Sequence, residues 1–451
     1  MPPPLATLHR SPRFAALRAR RSFWVGLALA TQLGVFALVA CLRVLPHDNG
    51  GFLGYDVSLA LPGAGHAVAL GLTVAWMLWA AARQAKKHLD RPDVTRLRPA
   101  AGPLPVYGAL SGHELVTMVD EVAADMKVGH IDIVAVEDHL VPNAMTARVP
   151  GLGSFVLLHT NLLHLLTAAE VRAVVAHEVA HVRASDSMVA LASRLPGVAA
   201  TAMAGWLLVH VADGLLLPGD LFTFLQRLLF LALAWTGWLG ARGLITVFTQ
   251  RASRIAEVIA DLRAAAACGY EAHVNALLRI GERAEALAAF GKGVQGVLSA
   301  MGEKGSAPAL YALIGQLPRS LVDAEKAAYA APYAFVKHHL EAMRKGLGLA
   351  LDDEQIRALA RGAAEHYWAK AEEKPAGPAE ERLSWREFDA DRSEFLDRDE
   401  LERLVEELRT DGKRLLFRTL SKQASIVDSH PTMRDRILAV HAFFGAPEVS
   451  R

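Results

Sequence analysis

Two cysteines in 451 residues are too few for a disulfide framework, and they stand far apart: Cys41 inside an apolar run, Cys268 in an alanine-rich stretch. A reducing compartment is therefore permitted. Net charge is lacking as well, since 48 Lys and Arg against 47 Asp and Glu leave a formal +1. No field of one sign covers the molecule, which removes the footprint expected of a nucleic-acid partner or of a receptor for acidic substrates. Charge of either sign is scarce, at 21% beside 52% hydrophobic residues. A wholly water-soluble protein cannot hide that much apolar surface, so part of the chain belongs in lipid, with the bilayer as its first partner.

Residues 23–42, FWVGLALATQLGVFALVACL, carry no charge. About 20 residues at about 1.5 Å rise cross a hydrocarbon core about 30 Å thick. A second run, 66–82, ends at Arg83, Lys86 and Lys87, and the two predict a first transmembrane hairpin over 23–88. Arg10, Arg13, Arg18, Arg20 and Arg21 make residues 1–22 a basic N-terminus, whereas the 43–65 loop sets Arg43 against Asp48 and Asp56. The positive-inside rule then puts both outer flanks in the cytosol and the loop outside. Two later runs, near 195–212 and 228–249, predict a second hairpin over 195–249, joined through Asp213 and Asp220. A buried helical pair of a soluble domain is the alternative, with Arg227 and Arg242 in its favour. Arg20-Arg21-Ser22-Phe23 and Leu38-Val39-Ala40-Cys41 are similar to export signals, but a second apolar run so close behind favours a retained span.

The stretch AHEVAH, 176–181, places His177 and His181 one helical turn apart on one face, with Glu178 one residue round. Neutral imidazoles at that spacing ligate zinc, and the carboxylate is placed to take a proton from water. Thr167-Ala168-Ala169-Glu170 reads as a capping box opening a helix over about 168–190. The short β-branched stretches 131–136 and 154–159 read as strands. A catalytic zinc needs a third protein ligand and one open position. SRIAEVIAD, 253–261, directly after the last apolar run, puts Glu257 and Asp261 on one face of a helix. Glu257 is the candidate ligand; solvated acids of an amphipathic helix are the alternative.

This order of features resembles the HtpX-type integral membrane zinc metallopeptidases, gluzincins related to the CAAX prenyl endopeptidases. In that family H-E-x-x-H is followed by a pair of spans and then by E-x-x-x-D, repeated here as HEVAH, two apolar runs and EVIAD. The resemblance implies one zinc per chain on His177, His181 and Glu257, Glu178 as the general base, and Asp261 supporting the ligands from behind. HPTMRDRI, 430–437, is similar to a C-terminal family segment. It would turn His430 towards the active site to aid the transition state and make Arg436 structural or substrate-positioning. Thr432 stands where the family has a second proline. Asn143-Ala144-Met145 resembles a segment beside an edge strand that receives extended substrate by β-addition. Protein or peptide substrates follow, damaged or misassembled membrane proteins above all. Prenylated C-termini fit less well, because the CAAX enzymes have more spans.

Residues 291–420 depart from the likeness. They are rich in Ala, Leu and Glu, broken at 302–308 and 371–380, and read as a helical insertion serving as lid or partner-binding module. Within it Asp389, Asp391, Ser393, Asp397 and Glu400 fall at positions 1, 3, 5, 9 and 12 of an EF-hand loop, which makes calcium a candidate ligand. Glu394 occupies the position that calls for glycine, and an acidic turn capping the next helix is the alternative.

The expected architecture is a mainly α membrane protein: four transmembrane helices with a cytosolic gluzincin-like α+β zinc peptidase domain. That domain is assembled from 105–192, 250–290 and 421–445, and is expected on the cytoplasmic side of an inner membrane. The expected function is zinc-dependent endopeptidase. An inactive membrane scaffold or chaperone, working through the insertion, is the alternative.

Overall fold

The computed structural model describes residues 5–46, 52–53, 55–59, 64–100, 102–137, 139, 141–215, 220–284, 337, 341, 352–358, 361, 382–410, 415–416 and 430–445. In chain order the elements are α1 (Leu5–Arg10), α2 (Pro12–Cys41), β1 (Leu42–Pro46), β2 (Tyr55–Leu59), α3 (Ala64–Leu89), β3 (Val94–Arg98), β4 (Val106–Tyr107), β5 (Leu110–Ser111), α4 (Gly112–Asp125), β6 (Ile133–Glu137), β7 (Ala144–Val149), β8 (Gly153–His159), α5 (Thr160–Leu165), α6 (Ala168–Arg183), α7 (Asp186–Leu215) and α8 (Leu221–Cys268). A helix over 270–284 follows, then the helices Arg398–Thr410 and Met433–Phe444.

The sheet that carries the catalytic segment has the order β3-β6-β8-β7, parallel between β6 and β8 and antiparallel elsewhere. Alternate side chains of β6 and β8 go to opposite faces, as the pleat dictates. Val134, Val136, Val156 and Leu158 enter a core with Leu115 and Val119 of α4 and Val171, Val175 and Val179 of α6. Ala135, Phe155 and Leu157 pack on the other face with Leu89 at the end of α3. Both faces are thus covered, which is why these strands read as unbroken apolar runs. The sheet begins with β3, before residue 105, so it includes chain on the N-terminal side of the expected boundary.

The capping box at Thr167 is formed: its N–H donates to Glu170 Oε2 at 2.8 Å, and Glu170 N–H donates to Thr167 Oγ1 at 3.4 Å. The helix it opens ends at Arg183, however, and not near 190. Ser185 takes the left-handed conformation, φ 53°, and its N–H closes on Val182 O, so the chain turns and restarts as α7 at Asp186.

All four apolar runs are helical, in α2, α3, α7 and α8. Among the described residues two helices, α2 and α8, are long and apolar enough to cross a membrane. No residue of the most apolar stretch of α8 is buried, and Leu229, Leu233, Trp235, Leu239 and Leu244 are exposed, as lipid-facing surface would be. This helix continues without a break into the segment bearing Glu257 and Asp261 and stops at Gly269, φ 102°. The 43–65 loop holds an antiparallel hairpin, β1 against β2, that the sequence did not announce. Its Tyr55 is buried and donates to Val211 O of α7.

The breaks expected at 302–308 and 371–380 lie outside the described residues. The described end of the insertion is built into the main body. Leu401, Leu404 and Leu408 of the helix Arg398–Thr410 share a core with Trp385, Ile259 and Leu262 of α8, and Ile437 and Val440 of the last helix. Leu8 of α1 and Phe14 of α2 enter the same core. Each such Leu contributes about 1.5–3 kcal/mol through burial.

Candidate metal centre

His177 and His181 project from the same face of α6, their Nε2 atoms 3.1 Å apart. Glu257 of α8 faces both: Oε2 lies 3.6 Å from His177 Nε2, and Oε1 lies 3.6 Å from His181 Nε2. Zinc bonded to nitrogen and oxygen at about 2.0–2.1 Å in tetrahedral geometry sets its ligand atoms about 3.3 Å apart. The nitrogen separation and the approach of one Glu257 oxygen to each ring bracket that value, and one ligand atom from each of the three residues lies within 4.8 Å of the others, close enough to share one such ion.

What lies behind the imidazoles supports the same fit. His181 Nδ1 is 2.7 Å from Asp186 Oδ2, and His177 Nδ1 is 2.9 Å from Asp261 Oδ1. At His181 the hydrogen-bonded carboxylate holds the ring in the tautomer that offers its Nε2 lone pair to a metal, whereas Asp261 stands close to His177 Nδ1 without hydrogen-bond alignment. Asp261 is completely buried and is gripped by Arg436 from the last helix. His273 Nε2 stands 3.2 Å from Asp261 Oδ1. Burial works against charge at His177, yet the Asp261 charge and the neighbouring carboxylates raise its imidazole to about 10. Burial likewise pushes up the Glu257 carboxyl, but His177 and His430 outweigh it and hold it well below the ordinary range. Negative charge from Glu257 and Asp261 therefore surrounds His177.

A cavity of about 700 Å³ opens over this triangle, lined by Glu178, by Asn143, Ala144 and Met145, and by His430 and Arg436. Glu178, a tenth exposed at most, faces the space between the histidines and the sheet edge. β7 is the outermost strand of its sheet, so Ala144 and Met145 stand on an edge whose backbone runs along the cavity. His430 Nδ1 lies 3.3 Å from Glu257 Oε2, and contact with that carboxylate raises its pKa.

The structure therefore brings together His177, Glu178, His181, Glu257, Asp261, His430, Arg436 and Asn143 to Met145, although they come from four distant stretches. Two residues of the site escaped the sequence reading. Asp186 follows His181 by five positions, and only the left-handed turn at Ser185 brings it back over the ring. His273 lies beyond the Gly269 break with no ligand spacing to any other histidine.

A second cluster lies in the loop before the helix Arg398–Thr410. Oxygens of Asp389, Asp391 and Glu400 fall within 4.8 Å of one another. Ser393 Oγ donates to Phe395 O, and Asp397 accepts from Glu400 N–H, so these two are engaged in the turn and the helix cap. Glu394 adopts φ 61°, the left-handed conformation that the loop needs, in spite of its side chain.

Residues 110–443 match the family model described as Peptidase family M48. The chain belongs to peptidase family M48. Two named proteins resemble parts of it. The plastoglobule-localized metallopeptidase 48 of Arabidopsis thaliana is 49% identical over 43 residues, 10% of this chain and 12% of that protein. A protease HtpX homolog of Aeropyrum pernix is 45% identical over 67 residues, 15% of this chain and 21% of that one. The chain thus matches only 12% and 21% of the length of these relatives. No solved structure matches. With M48 membership, the resemblance to HtpX-type metallopeptidases stands at the level of the family.

Proposed function

We propose that this M48 chain is a membrane-anchored endopeptidase in which His177, His181 and Glu257 hold one zinc ion and Glu178 is the general base. The observation that carries the reading is the His177–His181–Glu257 triangle, backed by Asp186 and Asp261 and open to a cavity that Glu178 also faces. Zinc, when bound, supplies Lewis acidity to the water and to the scissile carbonyl. Glu178 accepts the proton of the attacking water and passes it to the leaving amine. His430, which lines the same cavity beside Glu257, donates to the oxygen that gains charge at the tetrahedral centre. An extended substrate pairs its backbone with β7, which puts Asn143, Ala144 and Met145 against its side chains.

The anchor is read as two hairpins, α2 with α3 and α7 with α8. Both termini and the catalytic body lie on the cytoplasmic side of an inner membrane, and the β1–β2 hairpin lies outside. The arginines ahead of the first apolar run, at 10, 13, 18, 20 and 21, and the exposed apolar side chains of α2 and α8 support this. Substrates are unfolded or misassembled proteins, membrane proteins among them, because the cavity is open and meets its substrate through backbone. The inactive-scaffold alternative is not favoured, given M48 membership; the closeness of His177, His181 and Glu257 beside Glu178 supports the peptidase reading. The deciding experiment is metal content of the purified chain together with turnover of an unfolded casein-like substrate. Stoichiometric zinc with chelator-sensitive cleavage is expected; a chain that takes up no zinc overturns the reading.

For the loop 389–400 the second reading is calcium, supported by the convergence of Asp389, Asp391 and Glu400 and by the left-handed Glu394.

A further inference from the structure

Each metal-facing imidazole is backed by an aspartate, and each aspartate by an arginine. On one side the series is His177, Asp261 and Arg436, the arginine coming from the last helix. On the other it is His181, Asp186 and Arg21, the arginine coming from α2 near the start of the first apolar run. We infer that Arg21 is a positioning residue for the metal, acting through Asp186 on His181, so that the N-terminal helix is a working part of the metallopeptidase site. The inference rests on the zinc reading above and goes beyond it. Arg21 lies outside residues 110–443, the part that matches the family.

Asp186 uses both oxygens: Oδ1 accepts from Arg21 Nη2, and Oδ2 lies 2.7 Å from His181 Nδ1. The side chains of Arg21 and Asp186 are only 17% and 18% exposed, so this pair is sheltered and not a freely solvated contact. With one oxygen fixed by the guanidinium, the other stays turned to the ring, and Nε2 keeps its aim at the triangle. The segment that delivers Arg21 is itself held. Leu8 and Phe14 are buried in the core with α8, the Arg251 guanidinium lies over the Trp24 ring at 5.1 Å, and Gln32 accepts from Gly197 N–H of α7 at 3.1 Å. Loss or displacement of residues 5–21 would remove the guanidinium hydrogen-bonded to Asp186, leaving it the more remote charge of Arg263, while the three ligands stay in the chain.

The test is zinc affinity of the full chain by chelator competition, with the cobalt(II)-substituted absorption spectrum as a report on ligand geometry. Asp186→Asn is expected to bind zinc about 10 to 100-fold more weakly, and Arg21→Gln about 10-fold more weakly, in the range of losses seen for groups behind a metal ligand. Because Arg21 acts through Asp186, the double variant should bind no more weakly than Asp186→Asn alone, and both single variants should shift the cobalt bands. Arg20→Gln, which removes the same charge from an exposed neighbour, should match wild type. Should the glutamine variant not fold, Arg21→Lys, which keeps the charge but loses the planar fork, runs the same cycle. Arg21→Gln with wild-type affinity and spectrum overturns the inference, as do losses that simply add in the double variant. A wild-type chain that binds no zinc is a different result and overturns the zinc reading instead.

Discussion

Arg436 grips the completely buried Asp261 with two prongs, Nε at 2.8 Å from Oδ2 and Nη2 at 2.6 Å from Oδ1. The last helix is thereby tied to the carboxylate that orients His177. Burial pushes the Asp261 carboxyl up, but the Arg436 charge outweighs it and holds the group well below 3.8. Removing one partner of such a pair leaves an uncompensated buried charge, and Arg436→Met should cost about 3–5 kcal/mol in thermal or denaturant unfolding. The stabilisation is complete above the ordinary carboxyl pKa of 3.8 and is lost as pH falls below it, because the folded pKa is the depressed one. The deficit of the variant should therefore narrow as pH drops through that range. A deficit independent of pH would show that Arg436 acts by packing alone.

Glu257→Ala should abolish stoichiometric zinc, while Asp261→Asn should retain most of it with an affinity loss of about 10 to 100-fold. The measurement is bound zinc after dialysis against a weak chelator. Full occupancy in Glu257→Ala would move the third ligand elsewhere.

Glu178→Gln keeps size and hydrogen bonding but removes the base. Zinc should remain bound, and cleavage should fall by about 100 to 10,000-fold, or about 3 to 5 kcal/mol of barrier. A variant that cleaves at the wild-type rate would make AHEVAH a metal-holding helix without a catalytic carboxylate.

The proposed topology is open to labelling. In a variant lacking Cys41 and Cys268, single cysteines at Ser58 in β2 and at Asp220 before α8 should react with an impermeant thiol reagent in intact cells. A cysteine at exposed Glu114 of α4 should stay unlabelled until the membrane is opened. The reverse pattern would invert the orientation.

Calcium binding at 389–400 should appear as a heat at submillimolar to millimolar concentrations in calorimetry of the full chain, lost in Asp389→Asn. No heat at millimolar calcium would leave the loop as a helix-capping turn.

Much of this was legible beforehand because it depends on short-range chemistry. One turn of helix separates His177 from His181, so their spacing reads directly from sequence, as does the Thr167 box that starts their helix. The strands β6 and β8 announced themselves by β-branched runs within two residues of their true ends. What failed depends on contacts between remote segments or on a single dihedral angle. No local pattern marks Ser185 as left-handed, so the helix was read through to 190 and Asp186 stayed hidden in it. The partnership of Arg21 with Asp186 spans 165 positions, and a basic cluster before a span already had a sufficient explanation in membrane orientation. The helix Arg398–Thr410 was counted with an insertion because its amphipathic stripe gives no hint of which core it joins.

The unbroken course of α8 gives the bilayer mechanical purchase on the chemistry. In the proposed topology Trp235 stands among lipid, and roughly 33 Å of the same helix, at about 1.5 Å per residue, leads from it to Glu257. A tilt of about 2° at the lipid end swings the carboxylate by about 1 Å, several times the roughly 0.2 Å tolerance of a metal–ligand distance. In that topology a change of tilt at the lipid end would reach Glu257 through a lever that has no hinge along its length.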